Sequence, residues 1–296
     1  MEALTALLAE SRGFFAVLAG FFGLLVGSFL NVVIHRLPRM MEREWRADCA
    51  ALAGGDTTAV PEETYNLVTP RSACPSCRAP ITAAQNVPVV SWLLLGGKCA
   101  RCGTGISIRY PIVELVTAAL SVLVALRFGY GFAALAALGI TYTLIALTGI
   151  DLDEQLLPDS LTLPLLWAGL LASVLVGHGA AGLPTDPRSA ILGAAFGYLS
   201  LWTVFQLFRL ATGKEGMGFG DFKLFAAFGA WLGWQMLVPI ILFSAAAGAV
   251  IGIALILARR HGRDAPMPFG PYLAVAGWLV MMYPGELVLS WWPIAR

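Results

Sequence analysis

Charge is what this 296-residue chain has least of: 12% of its residues are Asp, Glu, Lys or Arg, where soluble domains carry roughly a quarter. With 58% hydrophobic residues and a mean hydropathy of +0.77, that scarcity excludes an ordinary water-soluble fold and points to a bilayer. The residue-by-residue alternation of a membrane barrel is missing too. Hydrocarbon offers a free backbone amide no partner, so the apolar runs must be helices. Histidine is nearly absent, and His35, His178 and His261 fall in different segments, which excludes a catalytic triad. A net charge of +1 argues against nucleic acid as a partner. There is no tandem repeat and no low-complexity tract. The first apolar run lacks the basic lead-in and small-residue cleavage site of a removable signal peptide, so it is expected to stay in the mature protein.

What is present is a series of runs near the length of about 20 residues that a spanning helix needs. They occupy 14–34, 110–126, 132–150, 161–176, 190–210, 238–258 and 269–289, with a shorter one at 222–234. They predict an all-α polytopic membrane protein, a bundle of about eight transmembrane helices surrounded by membrane lipid. Lys and Arg are retained on the cytoplasmic side. With the amino terminus outside, fifteen of the nineteen basic residues lie inside, leaving Arg12, Arg127, Arg188 and Arg296 outside. Only residues 35–109 are long and polar enough to fold apart from the membrane. The expected division is therefore a first transmembrane helix at 1–34, a small cytoplasmic domain at 35–109 and a membrane core at 110–296. The first third of the small domain reads as a short charged helix and then a loop, with Gly54-Gly55 and Pro61 as breakers.

That domain holds four cysteines in two pairs, Cys74-Pro75-Ser76-Cys77 and Cys99-Ala100-Arg101-Cys102, separated by 21 residues. A two-residue spacer turns both thiolates onto one cation, and two such knuckles complete a tetrahedral site, so the pattern predicts zinc. Four thiolates leave no open position, which makes the zinc structural. Disulfides are the competing reading, but they rarely persist on the reducing side of the membrane. About 75 residues with few large apolar side chains need such a staple. Cys49 lies outside the pattern and reads as a free thiol.

Acids within or beside membrane spans are expensive and mark function. The candidates are Glu114, the cluster from Asp151 through Asp153 and Glu154 to Asp159, and Asp221 at the end of Gly216-Met217-Gly218-Phe219-Gly220. In the expected topology the third span ends, and the sixth begins, on the cytoplasmic side, so Asp151 and Asp221 meet at one depth. Two carboxylates held close do not both ionise easily: one keeps a proton as general acid while the other takes a proton from attacking water. The supporting glycines, Gly218 and Gly220 with Gly216, allow close backbone approach or a positive φ. Bland readings stand beside this one. Asp221 is also a candidate helix cap, as is Asp159, and Asp153 competes with Asp151. Glu114 reads as an interfacial or paired acid. Ser28 reads as a packing residue, and the amide of Asn31 inside a span wants a partner. The glycines lack the Lys-Ser/Thr of a phosphate loop. No strand-linked G-x-G-x-x-G marks a dinucleotide-like cofactor. A proton-coupled transporter using Asp151 and Asp221 as relays, or a membrane-anchored zinc scaffold, fits the same residues; a transporter site, however, tends to lie at the midplane.

Taken together, several segments resemble the type IV prepilin peptidases. They are Gly27-Ser28-Phe29-Leu30-Asn31 through His35-Arg36-Leu37-Pro38, the four-cysteine domain, Arg109-Tyr110-Pro111-Ile112-Val113-Glu114, Ile150-Asp151 to Leu157-Pro158-Asp159, Gly218-Phe219-Gly220-Asp221, and Pro268-Phe269-Gly270-Pro271-Tyr272. The resemblance spans nearly the whole chain. It implies an intramembrane aspartyl protease of the GxGD type with Asp151 and Asp221 as catalytic pair. It further implies prepilin and type II pseudopilin substrates whose basic leader is cut at the cytoplasmic membrane face. In the long, four-cysteine form it also implies N-methylation of the new terminus from S-adenosylmethionine. Asn31, His35, Arg36 and the cysteine domain are where that second activity is sought.

Overall fold

The computed structural model describes residues 2–53, 64–178, 183–258 and 267–283. Among the described residues are ten α-helices and no strand. These are α1 (Glu2–Glu10), α2 (Arg12–Leu52), α3 (Val90–Leu94), α4 (Arg109–Phe128), α5 (Phe132–Glu154), α6 (Asp159–Leu175), α7 (Pro187–Thr212), α8 (Phe219–Leu232), α9 (Leu237–Leu257) and α10 (Gly270–Met282). Among the described residues, five helices are long and apolar enough to cross a membrane: α2, α4, α5, α7, and α9 with the single turn before it. The shorter α6, α8 and α10 stand at the other three expected runs. Gly54-Gly55 and Pro61, the basic Arg259, Arg260 and Arg263, His261, Arg296 and the end of the last expected run lie outside the described residues.

The chain forms two compact units, residues 1–126 and 127–296. In the first, Ser11 caps α2 by accepting the Phe14 N–H at 3.2 Å. The helix then runs without a break through Pro38 to Leu52, where the sequence predicts a span ending at 34 and a separate short helix. Pro38 deletes one backbone donor, but no glycine or cap follows it before Leu52, and the polar half carries i,i+4 pairs. Arg39 donates to His35 at 2.7 Å, and Arg46 pairs with Glu42 at 2.5 Å. In the apolar half, Gly20, Gly23 and Gly27 face Val122, Ala118, Ser121, Glu114 and Thr117 of α4 so closely that a Cβ at any of them would collide. Small residues three and four positions apart along one face are how membrane helices approach where no hydrophobic force drives them together.

In the second unit, α8 is the core. Asp221, Phe222 and every residue from Leu224 to Trp231 are buried, and the helix packs on α6, α7 and α10. Gly193 of α7 and Gly229 of α8 bring their backbones into direct contact, and Gly197 lies on the Ala226 backbone. Fourteen residues make a helix of about 21 Å, short of the roughly 30 Å hydrocarbon thickness. A helix enclosed by other helices need not match that thickness, and irregular backbone before it is tolerated where protein covers it. Cross-ties fix the register: Trp231 Nε1 donates to Leu165 O at 2.8 Å, Trp278 Nε1 to Thr141 Oγ1 at 3.0 Å, and Arg127 Nε to Met282 O at 2.9 Å.

Candidate active site and metal centre

Asp151 lies in the last turn of α5, which stops when Gln155 takes a left-handed conformation at φ 52° and donates its N–H to Asp151 O. The chain then crosses through Leu157 and Pro158 into α6. Asp151 is 5% exposed, whereas Asp153 is on the exposed side of the turn. The sequence favours Asp151, which adjoins the apolar span, and burial distinguishes the two in the same direction. Asp221 is the third residue of α8 and 7% exposed. It is not a cap, because the cap position is Gly218, which contributes no side chain. Asp159 is not a cap either: Pro158 holds that position, and the Asp159 carboxylate instead pairs with Lys223 at 2.6 Å.

One compact cluster joins the two acids. Gly270, the first residue of α10, donates its N–H to Asp151 Oδ2 at 2.9 Å. A Cβ built on Gly270 would lie 3.1 Å from Leu157 Cδ2, and one on Gly220 would lie 2.6 Å from Leu157 Cβ. Leu157 therefore sits against both the donor to Asp151 and the residue preceding Asp221. Asp221 N–H donates to Gly218 O at 3.3 Å. Asp221 Oδ1 is buried without a hydrogen-bond partner. Buried polar atoms are almost always satisfied, so an orphaned one in a cluster with a second acid is a candidate for a functional role. None of Gly216, Gly218 and Gly220 adopts a positive φ. Glycine is demanded at 216 and 220 by close approach, to the Phe208 ring and to Leu157, while Gly218 is extended with open space toward Asp221 Oδ2. Next to this cluster, Ala245, Gly248 and Ala249 of α9 with Met267, Pro268, Phe269 and Tyr272 line an apolar cavity of about 210 Å³.

In the first unit the four sulfurs of Cys74, Cys77, Cys99 and Cys102 all lie within 4.8 Å of one another. Cys74 and Cys102 are 3.8 Å apart and Cys77 and Cys99 4.0 Å, with no disulfide. A tetrahedral centre with metal–sulfur bonds of about 2.3 Å sets its sulfurs about 3.8 Å apart, so the donor set fits a four-thiolate metal. The two knuckles are built alike. Cys74 N donates to Ala79 O and Arg78 N back to Cys74 O; Cys99 N donates to Thr104 O and Gly103 N back to Cys99 O. Each turn closes on a positive φ, at Arg78 and Gly103. Hydrogen bonds from the side chain and then the backbone of Thr104 bring the Cys102 thiol down to about 6, and the backbone amides of Cys102 and Arg101 lower that of Cys99. The thiolate, the form a metal takes, is thus favoured at Cys99 and Cys102, whereas Cys77, despite the Ala79 backbone bond, is pushed up to about 11 by burial and the neighbouring thiols. Cys49 is a free, exposed thiol.

The remaining candidates are distributed through the first unit. Asn31 finds the partners its position demands, donating to Gly27 O at 3.2 Å and Tyr110 O at 3.1 Å. Arg36 is buried, donates to Asn66 O at 3.0 Å and lies over the Tyr65 ring, which Arg43 also covers. His35 is exposed beside Arg39. Glu114 is buried; its Oε2 accepts the Val89 N–H at 2.7 Å, and Ser28 also bonds its carboxyl. Glu114, expected to be interfacial or paired, is held by hydrogen bonds, and Ser28, expected only to pack, is one of its partners; the link from Gly270 to Asp151 is not among the expectations. The only signal for that link was the segment Pro268–Tyr272 itself.

Residues 21–128 match the bacterial peptidase A24 N-terminal domain, and residues 138–253 match the type IV leader peptidase family. The chain is 54% identical over 271 residues to the prepilin leader peptidase/N-methyltransferase of Aeromonas hydrophila, covering 92% of this chain and 91% of that protein. This chain belongs to the type IV leader peptidase family. It is also 51% identical to the prepilin leader peptidase/N-methyltransferase of Pseudomonas aeruginosa, over 91% of this chain and 90% of that one. Its identity to the protein of the same name from Neisseria gonorrhoeae is 48%, over 94% and 95%. No solved structure matches the chain. In this leader peptidase both acids fall inside the matched peptidase segment and the four cysteines inside the N-terminal one.

Proposed function

We propose that the protein is a multi-pass membrane aspartic endopeptidase that removes the leader from type IV prepilins and type II pseudopilins, then N-methylates the new terminus. The observation that carries the proteolytic part is the buried cluster that gathers Asp151 and Asp221 around Leu157. Asp151, which accepts the Gly270 N–H, carries the charge and takes a proton from the water attacking the scissile carbonyl. Asp221 gives its proton to the carbonyl oxygen; as the tetrahedral species collapses, Asp151 passes the proton it took from water to the departing amine, and a hydroxyl of that species returns a proton to Asp221. Gly218 and Gly220 keep side-chain bulk away from Asp221. Substrate enters from the cytoplasmic face, on the side to which the basic residues assign residues 35–109 and the dyad.

Cys74, Cys77, Cys99 and Cys102 would hold a structural zinc, closed to substrate, that braces the small domain. Asn31, His35 and Arg36 are the candidates for the methyl-transfer site, Asn31 and Arg36 acting from positions fixed by backbone carbonyls. S-adenosylmethionine, when bound, supplies the methyl group that the new terminal amine accepts. The relatives are named for peptidase and methyl-transfer activities, which leaves the proton-coupled transporter without support.

The test is direct. Purified protein is incubated with a leader-bearing prepilin, with and without S-adenosylmethionine, and the product is weighed. Loss of the leader mass in both samples, plus one methyl group only with the methyl donor, is the expected result. An unchanged prepilin with active, folded protein would end the proteolytic reading.

A further inference from the structure

Resting on the dyad assignment, we infer that Gly270 is a positioning residue for leader cleavage, its backbone N–H holding the Asp151 carboxylate in reactive orientation at a spot where no side chain fits. The contact is long-range, between residues 119 apart, and buried at both ends. Gly270 opens α10, so its N–H has no acceptor within the helix, and Pro271 beside it has no N–H to offer. That leaves the Gly270 amide as the donor which the turn directs at Oδ2.

Space, not conformation, dictates glycine here, since φ is not positive. A Cβ would stand 2.6 Å from Asp151 Oδ2, 3.2 Å from Asp151 Cγ and 3.1 Å from Leu157 Cδ2. The helix has little freedom to retreat. Trp278 is tied to Thr141, Met282 O receives Arg127, and Gly277 is in contact with the Phe228 ring. The strain of any side chain at 270 therefore falls on the Asp151 carboxylate and on Leu157, which itself abuts Gly220 beside Asp221. Displacing a reacting group by about 1 Å costs on the order of a hundredfold in rate.

The experiment compares wild type, Gly270→Ala and the double variant Leu157→Ala/Gly270→Ala on a leader-bearing prepilin in bicelles. Gly270→Ala is expected to lose about a hundredfold in kcat with KM within about twofold, because Asp151 does not anchor the substrate in the ground state. The double variant is expected to remain slow. Cleavage by Gly270→Ala within about threefold of wild type, or recovery in the double variant, would overturn the inference, the second by placing the obstruction on Leu157 alone. Amide hydrogen exchange supplies a readout that needs no turnover. Exchange at Gly270 should be slow in wild type and accelerate at least tenfold in Asp151→Ala, while Leu273, which donates to Phe269 O, stays unchanged. Equal exchange at Gly270 in both proteins would refute the contact even if Gly270→Ala does not fold. A wild type that leaves prepilin intact would sink the protease reading instead, with the exchange result still legible.

Discussion

The acid pair of the second unit and the thiol cluster of the first are both assembled from residues distant in sequence, yet they are opposite solutions to gathering like groups. Asp151 and Asp221 are both buried around Leu157, one oxygen of Asp221 lacking any hydrogen-bond partner. Three of the four cysteines are at least partly exposed, with backbone amides aimed at their sulfurs and a spacing suited to one cation. Like charges in the first case raise the free energy of the fold unless a proton neutralises one of them. In the second, a metal held by the four sulfurs would convert the same repulsion into folding energy. A site that costs stability is maintained by its chemistry, and one that contributes stability by its structure, which separates the reactive region from the bracing one.

That contrast is broken most severely at the acids. Asp221→Asn and Asp151→Asn should each reduce leader cleavage on the order of 10⁴-fold or more, about 5 kcal/mol in the barrier. Because the orphaned Oδ1 of Asp221 adds nothing to stability, Asp221→Asn should melt no lower than wild type, and a higher melting temperature is the expected direction. Retained cleavage in either variant would remove the dyad. A steep fall in melting temperature without loss of cleavage would make the pair structural.

The thiols should behave in the reverse sense. Metal analysis of purified protein is expected to find about one zinc per chain, and none after Cys74→Ser with Cys102→Ser. Removing a four-thiolate metal forfeits a binding energy on the order of 10 kcal/mol, so limited proteolysis should open residues 64–109 in that variant. A folded, metal-free wild type would leave the first unit without its brace and the contrast without its second half.

A third prediction sits within the first unit. Glu114 is buried, yet unlike Asp221 its carboxyl is engaged, by Val89 N–H and Ser28. Glu114→Ala strands the Val89 donor and should cost about 1–3 kcal/mol in stability; Glu114→Gln keeps an acceptor and should cost less than half of that. Thermal unfolding decides it. Equal losses in the two variants would mean that the charge, not the acceptor, is what α4 supplies.

Local chemistry was the legible part of this molecule. The spacing of the cysteines is a property of two short turns, and the glycines before Asp221 announce a close approach without saying to what. Sequence also marked Asn31 as needing a partner, and the structure supplies Tyr110 O. What stayed hidden depends on helices meeting. The sequence favours Asp151 over Asp153, but which side of their turn is covered shows only in the fold. Continuation of α2 through Pro38 reflects the absence of any stronger stop signal before Leu52. The shortness of α8 follows from its enclosure by α6, α7 and α10. The donation from Gly270 to Asp151 joins the start of one helix to the end of another, and no periodicity reports that.

The smallest expected effect marks the edge of the reactive region. Lys223 and Asp159 tie the starts of α8 and α6 together, two residues after Asp221, through a pair whose side chains are 24% and 55% exposed. Partly solvated pairs contribute about 0.2–1 kcal/mol. Lys223→Met, which keeps the apolar stem and removes the charge, should therefore lower stability by no more than that and leave kcat within a few-fold of wild type. High salt should weaken the pair in the parent protein in the same direction. If Lys223→Met instead loses cleavage as Asp221→Asn does, with stability intact, the cation acts on the dyad itself, and the boundary between bracing and reacting groups moves two residues further along α8.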